Sequence, residues 1–461
     1  MKRFWLVLLT LGLVMAFSTS VFAADVKFTG SFYAAGMYLD NTSFMGNGSE
    51  KPSTAFYYQR MRIKAEFIAT PALKLVTQFD AMERIWGASR STTKTNPFGQ
   101  PIVDSDSYGT REENENIAFD YAYIWYASKI GLWQVGILSD NVWGTTFGNN
   151  DEPEGQIHWT LVKMPFIIGG KIVKISENSS SAVVYSPWGT QTDVDADKYL
   201  LYGIYNFKGN NFGGQVGLLG YYVRNAALRA FPAAPNGQYK QDVYGLIPYA
   251  KAKIGPVAVE AEAQYQWGKA RNWESGVALD DVKISSWYAY ADALADFGMF
   301  YVGLTGAFVS GDGDPADDKA KNTLDAGRDW NPLLILFNYD RTYWGGGLAG
   351  WDGTDADNAM TNALFGMVRA GVRPVKDLDI MLAVAYAEAD KKITRTNPPT
   401  ATLNDEYGWE VDVTATYKIT NNLSYMLGVG YLFTGDYYQG SSSANDVQDT
   451  FLVINKLTLT F

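Results

Sequence analysis

The 461-residue chain contains no cysteine and a single histidine. Without thiols it has no disulfide, no thiolate metal site, no thioether-linked haem and no lipidated cysteine anchor. One imidazole, His158, leaves no His-based metal motif and no Ser/His/Asp set, and no Gly-rich phosphate loop is visible. Long apolar runs are equally scarce. Beyond the amino-terminal segment no stretch of about 18 apolar residues occurs, so no transmembrane helix is expected. Lipid is not thereby excluded, because closed barrels also pair every backbone polar group, and their strands show as alternation rather than bulk hydropathy. No linker, low-complexity tract or composition shift divides the chain. The net charge of −11 argues against nucleic acid as a partner and suits charged loops facing the medium.

The amino terminus carries the one long apolar run. Met1-Lys2-Arg3 is a short basic stretch, Phe4 to Phe17 is almost wholly apolar, and Ser18-Thr19-Ser20-Val21-Phe22-Ala23 supplies small residues for cleavage. The pattern predicts a secretory signal peptide over residues 1–23. Residues 24–461 then form one domain, with net charge −13 once Lys2 and Arg3 are lost from −11.

Alternation dominates the rest of the chain. Tyr57, Met61, Ile63, Ala65 and Phe67 oppose Arg60, Arg62, Lys64 and Glu66, and Leu73, Leu75, Phe79 and Ala81 oppose Lys74, Gln78, Asp80 and Arg84. The same reading recurs at Val257–Trp267 and at Tyr407–Tyr417. A soluble sandwich strand could show one such pattern, but about eighteen in succession without a helix between them point to a membrane barrel, with sixteen strands the nearest alternative. Long polar connections, such as Asp40–Ala55, Gly87–Asn116, Ser139–Gln156 and Gly311–Asn358, alternate with turns such as Thr70–Ala72 and Lys129–Gly131. The stretch from Gln156 to Glu177 carries the weakest signal. A barrel this wide holds an aqueous channel unless a loop folds in.

The last thirteen residues, Asp449 to Phe461, alternate as well and end on an aromatic. With Leu457 and Leu459 on the face of Phe461, this strand resembles the assembly signal of Gram-negative outer-membrane barrels. The resemblance implies an outer-membrane location, an environment of lipid and lipopolysaccharide, and recognition of the strand by the barrel-assembly machinery.

Charge placement bears on function. Arg60, Arg62 and Lys64 project from one strand face, with Asp80 and Arg84 on the neighbouring strand, and Arg369 and Arg373 are further lumen candidates. Three like charges in a row would be costly in a packed core and tolerable in a water-filled pore. The connection after the fifth strand offers Asp140, Asp151, Glu152 and Glu154. This arrangement is similar to general-diffusion porins, where an inward third loop faces a basic wall. It departs from them in having Asp151-Glu152-Pro153-Glu154-Gly155 in place of Pro-Glu-Phe-Gly-Gly. A second likeness, to alginate-export-type barrels, rests on Gly408-Trp409-Glu410-Val411-Asp412, Gly428-Val429-Gly430-Tyr431-Leu432, Gly435-Asp436 and the Gly311-Asp312-Gly313-Asp314-Pro315 loop.

These resemblances imply an all-β transmembrane barrel, a homotrimer, and passive passage of small hydrophilic solutes. No enzyme activity, cofactor or metal is expected. His158, beside Trp159, reads as an interfacial side chain, and Glu410 with Asp412 as part of a polar lumen. Asp312, Asp314, Asp317 and Asp318 with Asp352, Asp355 and Asp357 lack the closing bidentate Glu of an EF-hand and read as solvated loops rather than a Ca²⁺ site. Two other functions remain open here. One is a substrate-specific channel for an anionic polysaccharide or sugar, and the other is a barrel enzyme or plugged surface scaffold.

Overall fold

A strand with one apolar and one polar face needs lipid on one side and water or protein on the other, and a ring of such strands leaves no open edge. The computed structural model describes residues 25–46, 52–87, 93–95, 101–103, 117–178, 184–186, 189–191, 193–229, 239–274, 279–314, 317–353, 358–392, 394–395, 401–402 and 404–461. The expected signal peptide lies outside them. The fold is a closed antiparallel barrel of 18 strands. In chain order these are β1 (Asp25–Leu39), β2 (Thr54–Thr70), β3 (Leu73–Ile85), β4 (Ala118–Ser128), β5 (Gly131–Asp140) and β6 (Glu152–Lys163). They continue as β7 (Phe166–Ser176), β8 (Ala196–Lys208), β9 (Phe212–Asn225), β10 (Tyr239–Ile254), β11 (Val257–Trp273) and β12 (Val282–Asp296). The last six are β13 (Phe300–Val309), β14 (Ala363–Val375), β15 (Leu378–Ala389), β16 (Glu406–Lys418), β17 (Leu423–Thr434) and β18 (Thr450–Thr460). Each strand pairs with its successor, and β18 closes on β1, with Ser31 opposite Thr460 and Leu39 opposite Leu452. Phe461 finishes the seam by exchanging backbone hydrogen bonds with Gly30 at 2.8 and 3.0 Å.

The weakest stretch of the sequence is a hairpin, β6–β7, turning at Met164-Pro165. Long connections occupy one end of the barrel and turns of two to four residues the other, as the sequence led us to expect. The outer face is apolar from Val26 and Phe28 on β1 round to Leu457 and Leu459 on β18. No described helix is long and apolar enough to span a bilayer.

Two rows of outward side chains mark the upper limit of the apolar belt on β7–β12. Tyr199, Tyr222, Tyr244 and Trp267 stand opposite one another across β8–β11, with neighbouring rings 4.8–6.4 Å apart and within 16–23° of parallel. One pairing step above them runs a charged row, Lys174, Asp197, Arg224, Asp242, Lys269 and Lys283, each in register with the next. Aromatics followed by charges is the order expected where hydrocarbon gives way to headgroups and water.

Candidate functional site

Among the described residues, two connections enter the lumen. The larger spans 310–362, between β13 and β14. The sequence reads this connection as polar, yet it carries the unalternating run Leu333-Leu334-Ile335-Leu336-Phe337, which needs a dry surface. The wall supplies one. Inward positions that would be polar in an open pore are Tyr33, Ala35, Met37 and Leu39 on β1, Ala383, Ala385 and Ala387 on β15, and Leu452 and Ile454 on β18, all buried with the loop. This second apolar face was the available sequence signal for the plug.

Polar clamps complete the docking. Glu410 and Asp412 point inward from β16, 0% and 3% exposed. The backbone N–H groups of Ile335 and Leu336 both donate to Glu410 at 2.7 Å, and that of Leu334 donates to Asp412 at 2.9 Å. The pair read as general lumen polarity is thus the fastening of the plug. A short helix, α1 (Tyr339–Gly345), follows, its N-terminus capped by the Asn338 side chain accepting from Arg341 N at 2.8 Å. Trp344 stacks on Tyr58 at 4.6 Å and donates its indole N–H to Tyr33 at 3.1 Å. The plug therefore fills the side of the lumen bounded by β12–β18 and β1–β3.

The second inward loop, 141–151, is the one expected to constrict the barrel. Its Phe147 ring stacks on Tyr290 at 4.8 Å and meets the Trp330 edge at 4.9 Å. Glu262 on β11 accepts from Thr145 N at 2.5 Å and from the Tyr288 hydroxyl at 2.6 Å. Gly144, at φ +58°, turns the backbone against Glu262, where a side chain would collide with the carboxylate. Trp143 donates its indole N–H to Ile247 O at 3.0 Å, beside Pro248, where the β10–β11 pairing is interrupted between Leu246 and Tyr249 without a change of register. The two loops join through Gly327 N donating to Phe147 O at 2.7 Å.

What remains is a cavity of about 840 Å³ against β4–β12. Tyr121, Tyr123, Tyr202, Tyr221 and Trp143 line it together with Gln134, Gln264 and Gln266. So do three lysines, Lys64, Lys171 and Lys198, and seven carboxylates, Asp140, Asp151, Glu152, Glu154, Glu262, Asp325 and Asp329. His158 also faces this cavity, within 2.9 Å of the Tyr202 hydroxyl and 3.1 Å of Thr160 Oγ1, rather than lying at the membrane interface.

The charges anticipated from sequence are distributed differently from the expected wall and counter-wall. Arg62 makes a bidentate pair with Asp80 at 2.7 Å and lies 3.5 Å from Asp120. Arg60 pairs with Glu83 at 3.5 Å and stands over the Tyr33 ring. Of that row Lys64 lines the cavity, and it has no ion pair among the described residues. Arg84 is displaced: a bulge with Met82 at φ 56° shifts the register, so Arg84 stands opposite Gln59 on the outer face while Glu83 turns inward. Arg369 is held bidentately by Asp292 at 2.7 and 2.8 Å, and Arg373 by Asp296 and Asp379 at 3.0 and 2.9 Å, and neither lines the cavity.

The acidic set also moves. Asp140 ends β5 and is shared by Lys171 at 3.0 Å and Lys198 at 2.8 Å, cations that sequence reading did not single out. Glu152 and Glu154 lie on β6 rather than in the loop, because Asp140 pairs with Glu152 and Leu138 with Glu154. Their outward neighbours, Pro153 and Gly155, hid the alternation. Asp151 stays in the loop and accepts from the Tyr121 hydroxyl at 2.5 Å. Elsewhere Asp312 accepts from Asp314 N at 3.2 Å and Lys321 N at 3.3 Å, an internal turn contact. Asp355 and Asp357 lie outside the described residues.

Solved proteins of Pseudomonas aeruginosa share this architecture. OccK9 (OpdG) superposes with a TM-score of 0.50 at 14% identity, over 94% of this chain and 99% of that one. The fold is that of an outer-membrane porin barrel. OpdK, solved with vanillate, gives a TM-score of 0.49 at 12% identity over 94% and 99% of the two chains. OccK2 (OpdF), in complex with glucuronate, gives 0.49 at 11% over 94% and 97%. No protein-family model matches the sequence, and no curated protein matches it at the level of sequence. At such identities the likeness speaks for the porin fold alone.

Proposed function

We propose that the chain is a passive outer-membrane channel for small hydrophilic solutes and ions, and that solute passes on the β4–β12 side of the barrel. The observation that carries this reading is the cavity of about 840 Å³, lined by three lysines and seven carboxylates, left beside the plug in a barrel too wide for side chains to fill. Polar lining from many strands suits passage, and the reading assigns no chemical step. Lys64, Asp140, Asp151, Glu152 and Glu154 are the lining residues retained from the sequence reading. Arg60, Arg62 and Asp80 become wall residues that neutralise one another.

Conductance of the purified protein in planar bilayers tests the proposal. Discrete channels are expected, and their absence would sink it. The porin likeness further supports cleavage after Ala23, a homotrimer, and recognition of Leu457, Leu459 and Phe461 by the assembly machinery. Amino-terminal sequencing, native-gel migration and a carboxy-terminal deletion check these three in turn.

A further inference from the structure

Resting on the channel reading above, we propose that the passage selects cations and takes small organic solutes carrying an ammonium or guanidinium group. Asp151, Asp325 and Asp329 are the residues that set this preference.

The argument is one of charge left over after pairing. Three lysines face seven carboxylates around the cavity. Lys171 and Lys198 are both spent on Asp140, which leaves that cluster one positive charge, well buried in the wall. The arginines that would have favoured anions are bound by their own carboxylates, and Lys64 is the remaining unpaired cation of the lining. On the other side Asp151, Glu154, Asp325 and Asp329 have no ion-pair partner among the described residues. They come from three separate segments, β6 and both inward loops, so the fold itself brings them together. Like charges gathered without a counterion repel, and a cation entering between them relieves that repulsion. Burial raises the carboxyl of Asp329, and the neighbouring Asp151 raises it further. A narrow, low-dielectric passage focuses such a field, and rings of carboxylates select cations. Trp143 and the tyrosines beside it offer ring faces on which an organic cation can rest, an interaction an inorganic ion uses less well.

The test is the reversal potential of the purified channel across a potassium chloride gradient, paired with proteoliposome swelling in lysine, glutamine and glutamate. Potassium should permeate several-fold better than chloride, and swelling should be fastest in lysine and slowest in glutamate. Asp325→Asn with Asp329→Asn should lower the cation preference, and Lys64→Gln should raise it, with heat-modifiable gel mobility confirming folded barrels. If the double variant fails to fold, the wild-type ratio and Lys64→Gln still decide. Absence of any conductance overturns the channel reading itself. Channels that conduct but prefer chloride, or swell equally in all three solutes, overturn cation selection and leave the channel standing.

Discussion

Glu410→Ala should loosen the plug without opening the barrel. The Glu410 carboxylate accepts from two buried backbone donors, Ile335 N and Leu336 N, each at 2.7 Å. Leaving a buried donor unsatisfied costs about 1–3 kcal/mol, so the two together weaken the docked loop by about 2–6 kcal/mol. Since about 1.4 kcal/mol is a factor of ten, even the lower figure predicts roughly a 30-fold fall in hydrogen-exchange protection for this segment. The loop should still remain inside. Leu333, Ile335, Leu336, Phe337 and Leu348 are all buried, and each contributes about 1.5–3 kcal/mol by leaving water. The β16–β17 ladder runs unbroken from Gly408 opposite Thr434 to Lys418 opposite Ser424, so the barrel wall has no reason to respond. Hydrogen exchange read on peptides covering residues 333–338, with β17 as internal control, makes the measurement. Unchanged protection of 333–338 in a folded variant would refute the clamp.

Four other outcomes are expected from the same geometry. Arg62→Ala strands the largely buried Asp80 carboxylate and should cost about 1–3 kcal/mol, discounted for the part-exposed guanidinium; thermal unfolding in detergent should register it. Gly144→Val drives a side chain into Glu262 at a positive φ, so the smaller loop should leave its seat and single-channel conductance should rise. Cation preference should decline on acidification: burial raises both Asp325 and Asp329, so they lose negative charge as pH falls, before an ordinary aspartate near about 4 would. Reversal potentials measured from neutral to acid pH check this, and a preference that is flat until pH 4 would contradict it. Deleting Phe461 removes the last seam contacts with Gly30 and should lower the yield of heat-modifiable barrel in the outer membrane.

The strand plan was legible because period-two alternation is a local property. Eighteen strands and the rhythm of loops and turns could be read from residue types alone. The contents of the lumen were less legible, since they depend on what a distant loop brings. Glu410 and Asp412 look like any polar lumen pair until Leu334, Ile335 and Leu336 arrive from some 75 residues away. Arg84 sits at the correct period for the basic wall, and a single extra residue in β3 moves it outward. Lys171 and Lys198 were passed over because they stand on different strands, and only the register brings both to Asp140. Charge pairing across strands is invisible to a scan along one strand.

The outward row from Lys174 to Lys283 has a consequence for how the barrel comes together. Alternation forbids a slip of one residue, since that would turn every side chain to the wrong face. It does nothing against a slip of two, which keeps each face as it was. The charged row supplies the missing restraint. A two-residue slip between β9 and β10 would move Asp242 from Arg224 to a place beside Tyr222, or carry Tyr244 up among the charges. Charges drawn toward hydrocarbon cost about 2–4 kcal/mol each for Lys or Arg at the midplane, less near the interface. Repeated over six strands, that small penalty acts as a ruler, setting the strands at one height as they are laid side by side.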